Sequence, residues 1–261
     1  MKQIFYTFNA TSWPADPTPS DTEYIGPITY QVGFYKAIVK DGNNFSQVTP
    51  VRFSPVSLED YIAYYSFTGN TEDTTGNYNA TNRGATLTTG INGLPNTAYS
   101  FAVNQPVRIN APTPLLTGTV WSISFYFMVD TTSAINADRI IYSQYNYQTN
   151  PLGRMVITIS PNTTRLKLFI QNNNGNLDKL ITDTLNSEWN HVVVTSNGST
   201  VSIYLNKSLV SNDGVSVEPS TVNSVFGAYI WESIYIGSFG GKLDEIKVYN
   251  RALNSSEVIL L

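Results

Sequence analysis

Two stretches of the sequence combine aromatic rings with side-chain amides. Tyr142-Ser-Gln-Tyr-Asn-Tyr-Gln-Thr-Asn150 reads as a strand end running into a loop, and offers Tyr142, Tyr145, Asn146 and Tyr147 as contact residues. Tyr229-Ile-Trp-Glu-Ser-Ile-Tyr235, if extended, places Tyr229, Trp231 and, across Glu232-Ser233, Tyr235 on one side. Such groups suit carbohydrate binding, because rings stack on the apolar faces of sugars while neighbouring amides and acids hydrogen-bond the hydroxyls. A chain with 17 tyrosines also places such residues in ordinary core and interface strands.

Catalytic constellations are harder to assemble. The eight glutamates are dispersed, and the adjacent pairs Glu59-Asp60, Glu72-Asp73 and Asp244-Glu245 point to opposite faces of an extended strand. Retaining glycoside hydrolysis needs two carboxylates about 5 Å apart, which this pattern does not supply. His191 is the only histidine, and the apolar Val192–Val194 beside it mark an interior strand rather than the base of a nucleophilic triad. Cysteine is absent, which removes disulfides, thiolate zinc sites and cysteine nucleophiles together. The sequence therefore predicts a protein that is not an enzyme.

Composition narrows the partners. Of 261 residues, 41% are apolar, enough for a sizeable core, but only 13% are charged, against roughly 25% in typical soluble domains. Net charge is −4 and no Lys/Arg cluster occurs, so the electrostatic footprint of a nucleic-acid binder is missing. No window approaches the ~18 consecutive apolar residues of a spanning helix, and no apolar signal-like core follows Met1. Neither membrane insertion nor export by a signal of its own is expected.

The elements that must position these residues are strands. Short β-branched or aromatic runs separated by Gly, Asn, Asp and Pro dominate, with clear candidates at 62–67, 98–103, 120–129, 139–145, 154–160, 165–171, 189–195, 201–205, 229–237 and 242–249. In Ser122–Val129 and Val201–Leu205 every second residue is apolar, so one face enters a core. Asn197-Gly198 predicts a hairpin turn between 189–195 and 201–205. The one helical candidate is Asn254-Ser-Ser-Glu257 before Val-Ile-Leu-Leu261, where Asn254 and Glu257 can cap the first amides. Pro50, Pro55 and the polar Ser57–Asp60 interrupt the pattern and divide the chain into residues 1–57 and 58–261. The first part carries strands at 3–8, 28–40 and 44–53, the last two joined at Asp41-Gly42, with a Pro-rich loop around Trp13. So few strands cannot form an independent core, and they are expected to dock on the larger part or on a partner.

Four segments, in order, carry a family resemblance. Tyr65-Ser-Phe-Thr-Gly-Asn-Thr-Glu-Asp-Thr-Thr-Gly-Asn77 is similar to an opening Y-x-F-x-G-N-x-x-D-x-S-G-N, followed by Gly84–Leu87 and Ala98–Phe101. Trp121-Ser-Ile-Ser-Phe-Tyr-Phe127 resembles an S-I-S-x-W segment, with Tyr126 in place of the usual tryptophan. Trp189-Asn-His-Val-Val-Val-Thr-Ser-Asn-Gly198 with Leu205-Asn206 resembles W-x-H-V-V-x-T-x-D-G and its following strand. Gly241-Lys-Leu-Asp-Glu-Ile-Lys-Val-Tyr-Asn-Arg-Ala-Leu253 is close to the closing G-x-I-D-E/D-V-R-I-Y-N-R-A-L. Residues 64–261 thus resemble a laminin-G-like jelly roll of the concanavalin A-like lectin/glucanase superfamily, common in bacterial surface proteins and phage fibres. The resemblance implies an all-β fold, a two-sheet antiparallel jelly-roll sandwich of roughly a dozen strands, to which residues 1–57 add a small β-rich extension.

Function follows from the resemblance only as expectation. The Glu-x-Asp-x-x-Glu strand of the superfamily's retaining glucanases is absent. Calcium is the cofactor that the resemblance implies, with Asp73 and Asn77 of the opening loop and Asp244 of the closing strand at the matching positions; oxygen ligands of this kind suit that ion. Alternatively Asp73 forms an Asx-turn and Asp244 bonds to backbone, with no ion. The expected protein is a non-enzymatic bacteriophage virion component, a fibre, spike or decoration protein, oligomeric, with a lectin-like module for a glycan or host cell surface. Residues 1–57 would dock other virion proteins. A purely structural virion protein and a secreted bacterial carbohydrate-binding module at the cell surface are the alternatives.

Overall fold

The computed structural model describes residues 2–9, 12, 14–26, 33–53, 58–103, 105, 107–132, 137–146, 154–161, 163–172, 175–231 and 234–261. Trp13, Tyr147, residues 28–32 of the expected N-terminal strand and Glu232-Ser233 lie outside them. The chain divides into two compact units, Met1–Ser57 and Leu58–Leu261. Among the described residues no helix is long and apolar enough to cross a membrane.

The first unit is one antiparallel sheet of β1 (Lys2–Asn9), β2 (Thr22–Glu23), β3 (Gly33–Asp41), β4 (Asn44–Phe45) and β5 (Thr49–Phe53). β1 and β3 pair along their whole length, from Lys2 opposite Asp41 to Asn9 opposite Phe34. Directly opposite residues share a face, so Phe5 meets Ile38 on one side while Phe8 meets Tyr35 on the other, with those rings 4.7 Å apart. The expected 44–53 strand is two, because the Ser46 hydroxyl takes the Val39 amide and interrupts the ladder.

The second unit contains β6 (Ala63–Tyr65), β7 (Thr81–Arg83), β8 (Thr86–Thr88), β9 (Ala98–Phe101), β10 (Arg108–Asn110), β11 (Val120–Val129), β12 (Arg139–Gln144) and β13 (Arg154–Ile159). β14 (Leu166–Gln171), β15 (Leu177–Leu180), β16 (Asn190–Asn197), β17 (Val201–Leu205), β18 (Ser208–Asp213), β19 (Val225–Phe226), β20 (Tyr229–Trp231), β21 (Ile234–Ile236), β22 (Gly241–Tyr249) and helix α1 (Ser255–Leu260) follow. One sheet runs β18-β17-β16-β11-β22-β9-β8, with β6 also on β22; the other runs β15-β14-β13-β12-β19-β10-β7. β20 and β21 form a separate hairpin. This is the all-β antiparallel sandwich that the sequence implies.

Alternation fills the space between the sheets. Ile123, Phe125 and Phe127 of β11, Val192 and Val194 of β16, and Leu243, Ile246 and Val248 of β22 are inaccessible, and share one core with Ile157, Ile159, Leu168 and Ile170 of the other sheet. The outer face of the β11/β16/β22 sheet carries a second, smaller core of Val193, Tyr204, Tyr249, Leu253 and Val258, closed by Leu58 and Tyr61. Helix α1 is held there by the capping box that the sequence predicts, Asn254 and Glu257 each taking the other's backbone amide. Arg251 joins Asp60 (2.5 and 3.0 Å) to Glu257 (2.5 Å), so the segment before β6 and the helix after β22 are fastened by one guanidinium.

His191 belongs to this covered face. It is 3% exposed, its ring stacks on Tyr126 at 4.4 Å, and its Nε2 lies 2.8 Å from the Ser124 hydroxyl. Burial, assisted by the charges of Lys207 and Lys247, pushes its pKa from 6.5 down to about 4. The folded ring is neutral at pH 7, whereas between pH 6.5 and 4 the unfolded chain binds a proton that the folded chain refuses. Stability is therefore expected to fall as pH drops through that window, by up to ~3 kcal/mol from this residue. Urea titrations at pH 7 and in mild acid should show a smaller loss for His191→Gln than for the parent; parallel losses would contradict the assignment.

Candidate functional site

The outer face of the β12–β15 region holds the arrangement best suited to a ligand. In β13 and β14 the residues that do not enter the core, Val156, Thr158, Lys167 and Phe169, form the outward row. Together with Ile140, Tyr145, Tyr229, Asp138 and Asp178 they line a hollow of about 260 Å³.

A β-bulge decides which tyrosine reaches it. Ile140 pairs with Thr158, but Tyr142 pairs with Ile157, so one extra residue, Ile141, is inserted and the alternation of β12 reverses. Ile141 and Tyr142 both point into the core, and Tyr145 is carried to the outside. This corrects the reading of Tyr142 as a contact residue. Its ring is fully buried, its hydroxyl lies 2.6 Å from Gln144 Oε1 and 2.9 Å from Ser224 Oγ, and burial raises its pKa.

The two aromatic stretches of the sequence meet through Tyr145 and Tyr229. Ile230 N donates to the Tyr145 carbonyl at 3.3 Å, Asn146 bridges Ile230, and the two phenol rings pack edge to face at 5.4 Å and 89°. Gly237, just beyond the hairpin, has φ +81°, and a Cβ there would lie 2.9 Å from Ile140 and 3.6 Å from the Tyr229 ring. A glycine at this position leaves room for Ile140 and permits the turn.

Tyr235 does not share the Tyr229 side. The segment folds back as a hairpin, Tyr235 lies opposite Ile230, and cross-strand partners share a face. Tyr235 instead accepts a hydrogen bond from Asn110 Nδ2 (3.1 Å) and stacks on the Arg108 guanidinium, 3.7 Å from its centroid. Trp231 closes β20 opposite Ile234.

Charge around the hollow is partly committed. Lys167 pairs with Asp178 at 3.1 Å, and the Thr158 hydroxyl donates to the Arg139 carbonyl. Partial enclosure raises the Asp138 pKa, Lys167 opposes the shift and Asp178 adds to it. Enclosure also raises the Tyr229 phenol, with Tyr145 and Asp138 contributing. The Asp138 carboxylate and the Tyr145 and Tyr229 hydroxyls make no hydrogen bond to other described residues. Arg154, 4% exposed, lies against the Tyr145 ring at 5.2 Å and bonds Gln171 Oε1 at 3.1 Å.

Sequence reasoning missed Asp138, Lys167, Phe169 and Asp178. The signal available for Lys167 and Phe169 was their alternation with Leu166, Leu168 and Ile170; nothing local marks Asp138 or Asp178.

The three residues matched to a calcium site each have hydrogen-bond partners within the chain. Asp73 accepts from the Tyr64 and Thr75 amides through Oδ1 (2.7 and 3.2 Å), and from the Asn77 and Tyr78 amides through Oδ2 (3.1 and 3.0 Å), with the Thr75 hydroxyl bonded there as well. Five donors saturate this carboxylate, leaving no lone pair aimed at an ion. Burial alone would raise its pKa, but the bonds from Thr75, Tyr64 and Tyr78 outweigh it and hold the pKa below the usual value. Asn77 Nδ2 turns to Thr75 Oγ1 (3.3 Å). Asp244 gives its oxygens to the Ile91 and Glu245 amides, at 2.9 and 2.8 Å, and shares no partner with Asp73 or Asn77. Among the described residues no group of three or more His, Cys, Asp or Glu is placed to hold a metal. The Asp73 carboxylate thus does not fit a calcium ligand; it organises the 73–78 loop through hydrogen bonds.

The concanavalin A-like lectin/glucanases superfamily is represented by a family model, Laminin_G_3, that matches residues 101–259, more than half of the chain. The chain belongs to this family. Every residue of the hollow falls inside the Laminin_G_3 match, whereas Asp73 and Asn77 fall outside it. No curated protein sequence matches the chain. Among solved structures it is similar to domain 4 of AbnA, an extracellular GH43 arabinanase from Geobacillus stearothermophilus in complex with arabinotriose, at TM-score 0.60 and 16% identity, covering 76% of this chain and 96% of that one. It is also similar to botulinum neurotoxin type C, which enters cells in dependence on interaction with two ganglioside molecules (TM-score 0.58, 15% identity, 77% and 50% covered). A third is the binding domain of Paraclostridial Mosquitocidal Protein 1 (TM-score 0.59, 15% identity, 77% and 51% covered). The chain spans about half the length of the two toxin chains. At these identities the likeness is one of fold.

The five-donor carboxylate yields a stability prediction. Asp73→Ala strands buried amides and is expected to cost about 2–4 kcal/mol. Thermal melts with and without a chelator measure it: the loss should appear in full in both, and a loss confined to chelator-free samples would assign Asp73 to an ion.

Proposed function

We propose that the chain is a non-catalytic glycan-binding protein and that the hollow bounded by Tyr145 and Tyr229 holds the sugar. One observation carries this reading: Ile140, Val156 and Phe169 line a hollow together with two perpendicular phenol rings, beside hydroxyl and carboxylate groups that make no hydrogen bond to other described residues. Carbohydrate sites combine these features, a ring to cover C–H faces and unspent acceptors and donors for hydroxyls. The arabinotriose complex and the ganglioside-dependent toxin, which share the fold, support a sugar as ligand. Binding rather than cleavage is favoured because the Asp178 carboxylate is engaged by Lys167 and the glutamates stay dispersed.

The wider setting that we infer is a bacteriophage particle. There a fibre, spike or decoration protein would turn its jelly roll to the host surface, and residues 1–57 would dock other virion proteins and join copies of the chain. A cysteine-free, charge-poor composition and a first unit of a single small sheet support this setting. The extracellular arabinanase among the similar structures favours a second reading, a secreted bacterial carbohydrate-binding module.

The test is glycan-array screening followed by calorimetry on the retained sugar. Tyr229→Ala and Tyr145→Ala are each expected to weaken binding about tenfold or more while leaving the fold intact, as loss of a central aromatic contact does. Unchanged affinity in both variants would move the site elsewhere, and binding of no glycan would reject the reading.

A further inference from the structure

The hollow has a sign as well as a shape. Two aspartates and one lysine line it, and the lysine is already committed to Asp178 at 3.1 Å. Among the described residues Asp138 has no hydrogen-bond partner. The nearby arginines do not line the cavity: Arg154 bonds Gln171 behind the Tyr145 ring, and Arg139, 4% exposed, bonds the Asp130 and Gly240 carbonyls. A ligand carboxylate entering the hollow would face Asp138 and would have to displace Asp178 to reach Lys167.

We propose that Asp138 and Asp178 make this a site for uncharged glycans, closed to sugars that carry a carboxylate. The proposal rests on the glycan-binding reading and adds its selectivity. A neutral sugar gains twice here, since its hydroxyls donate to the free Asp138 oxygens in a charge-assisted bond and its apolar face covers Tyr145 or Tyr229. An acidic sugar presents oxygens that cannot donate and a charge of the same sign, and like charges set together at an interface are strongly penalised. Discrimination then comes from a repulsive element built into the cavity wall rather than from better contacts to the preferred ligand. Asp178 has a double part, because it contributes negative charge and also holds Lys167 away from any incoming anion.

An array that presents neutral glycans next to their sialylated and uronic-acid counterparts tests this, read at ~0.05 M and ~0.5 M salt, where screening of exposed charges differs several-fold in range. The parent protein should retain neutral glycans at least tenfold more strongly than their acidic counterparts, and the gap should narrow at the higher salt. Asp178→Asn should release Lys167 and raise the retention of acidic glycans several-fold. Asp138→Asn should narrow the gap from both sides, weakening neutral binding and relieving repulsion. An acidic glycan bound as well as its neutral counterpart by the parent protein would overturn the selectivity and leave the glycan reading standing. Retention of no glycan of either kind would remove both.

Discussion

Strand β22 is the piece on which the remainder of the jelly roll leans. It is hydrogen-bonded to β11 along one edge and to β9 and β6 along the other, so a segment late in the chain closes the sheet begun by its first strands. Its inward residues Leu243, Ile246 and Val248 are wholly removed from water and reach the common core. A bulge at Glu245, with φ 52°, absorbs the register shift opposite Ser124 and Tyr126 and turns the Glu245 carboxylate outward, where the Tyr64 hydroxyl donates to it at 2.7 Å. All three neighbours of β22 are thereby fixed in register, and the second sheet packs against the surface they make.

The opposite sheet inherits its position from that core and spends its other face differently. On the β11/β16/β22 side the outward Val193, Tyr204 and Tyr249 are covered by residues of α1 and by Leu58 and Tyr61, and His191 is buried as well. On the β12–β15 side the outward row lines an open hollow. The β20–β21 hairpin, pinned through Ile230 to Tyr145, builds the wall of that hollow.

What was legible in the sequence was whatever depends on period and short-range chemistry. Alternation in Ser122–Val129 and Val201–Leu205, the Asn197-Gly198 turn and the Asn254/Glu257 cap all appear where the residues place them. The closing motif named the family, and Tyr145 and Tyr229 were drawn from separate stretches and meet in space. Tyr142 and Tyr235 were misassigned for one reason in two forms. A bulge or a hairpin changes which side a residue faces without changing its neighbours in the chain, so counting by twos fails silently past Ile141 and past Trp231. Asp138 and Asp178 carry no local mark, since one precedes β12 and the other lies on β15, and only the sheet order brings them to one hollow.

The strict alternation of β13 and β14 separates two sets of residues. Met155, Ile157, Ile159, Leu166, Leu168 and Ile170 are locked into the core, whereas Val156, Thr158, Lys167 and Phe169 line the hollow. Each of these strands is in effect two interleaved sequences, one packed into the core and the other turned to the hollow. Substitutions in the outward row therefore re-line the hollow while the inward row, and with it the fold, stays as it is.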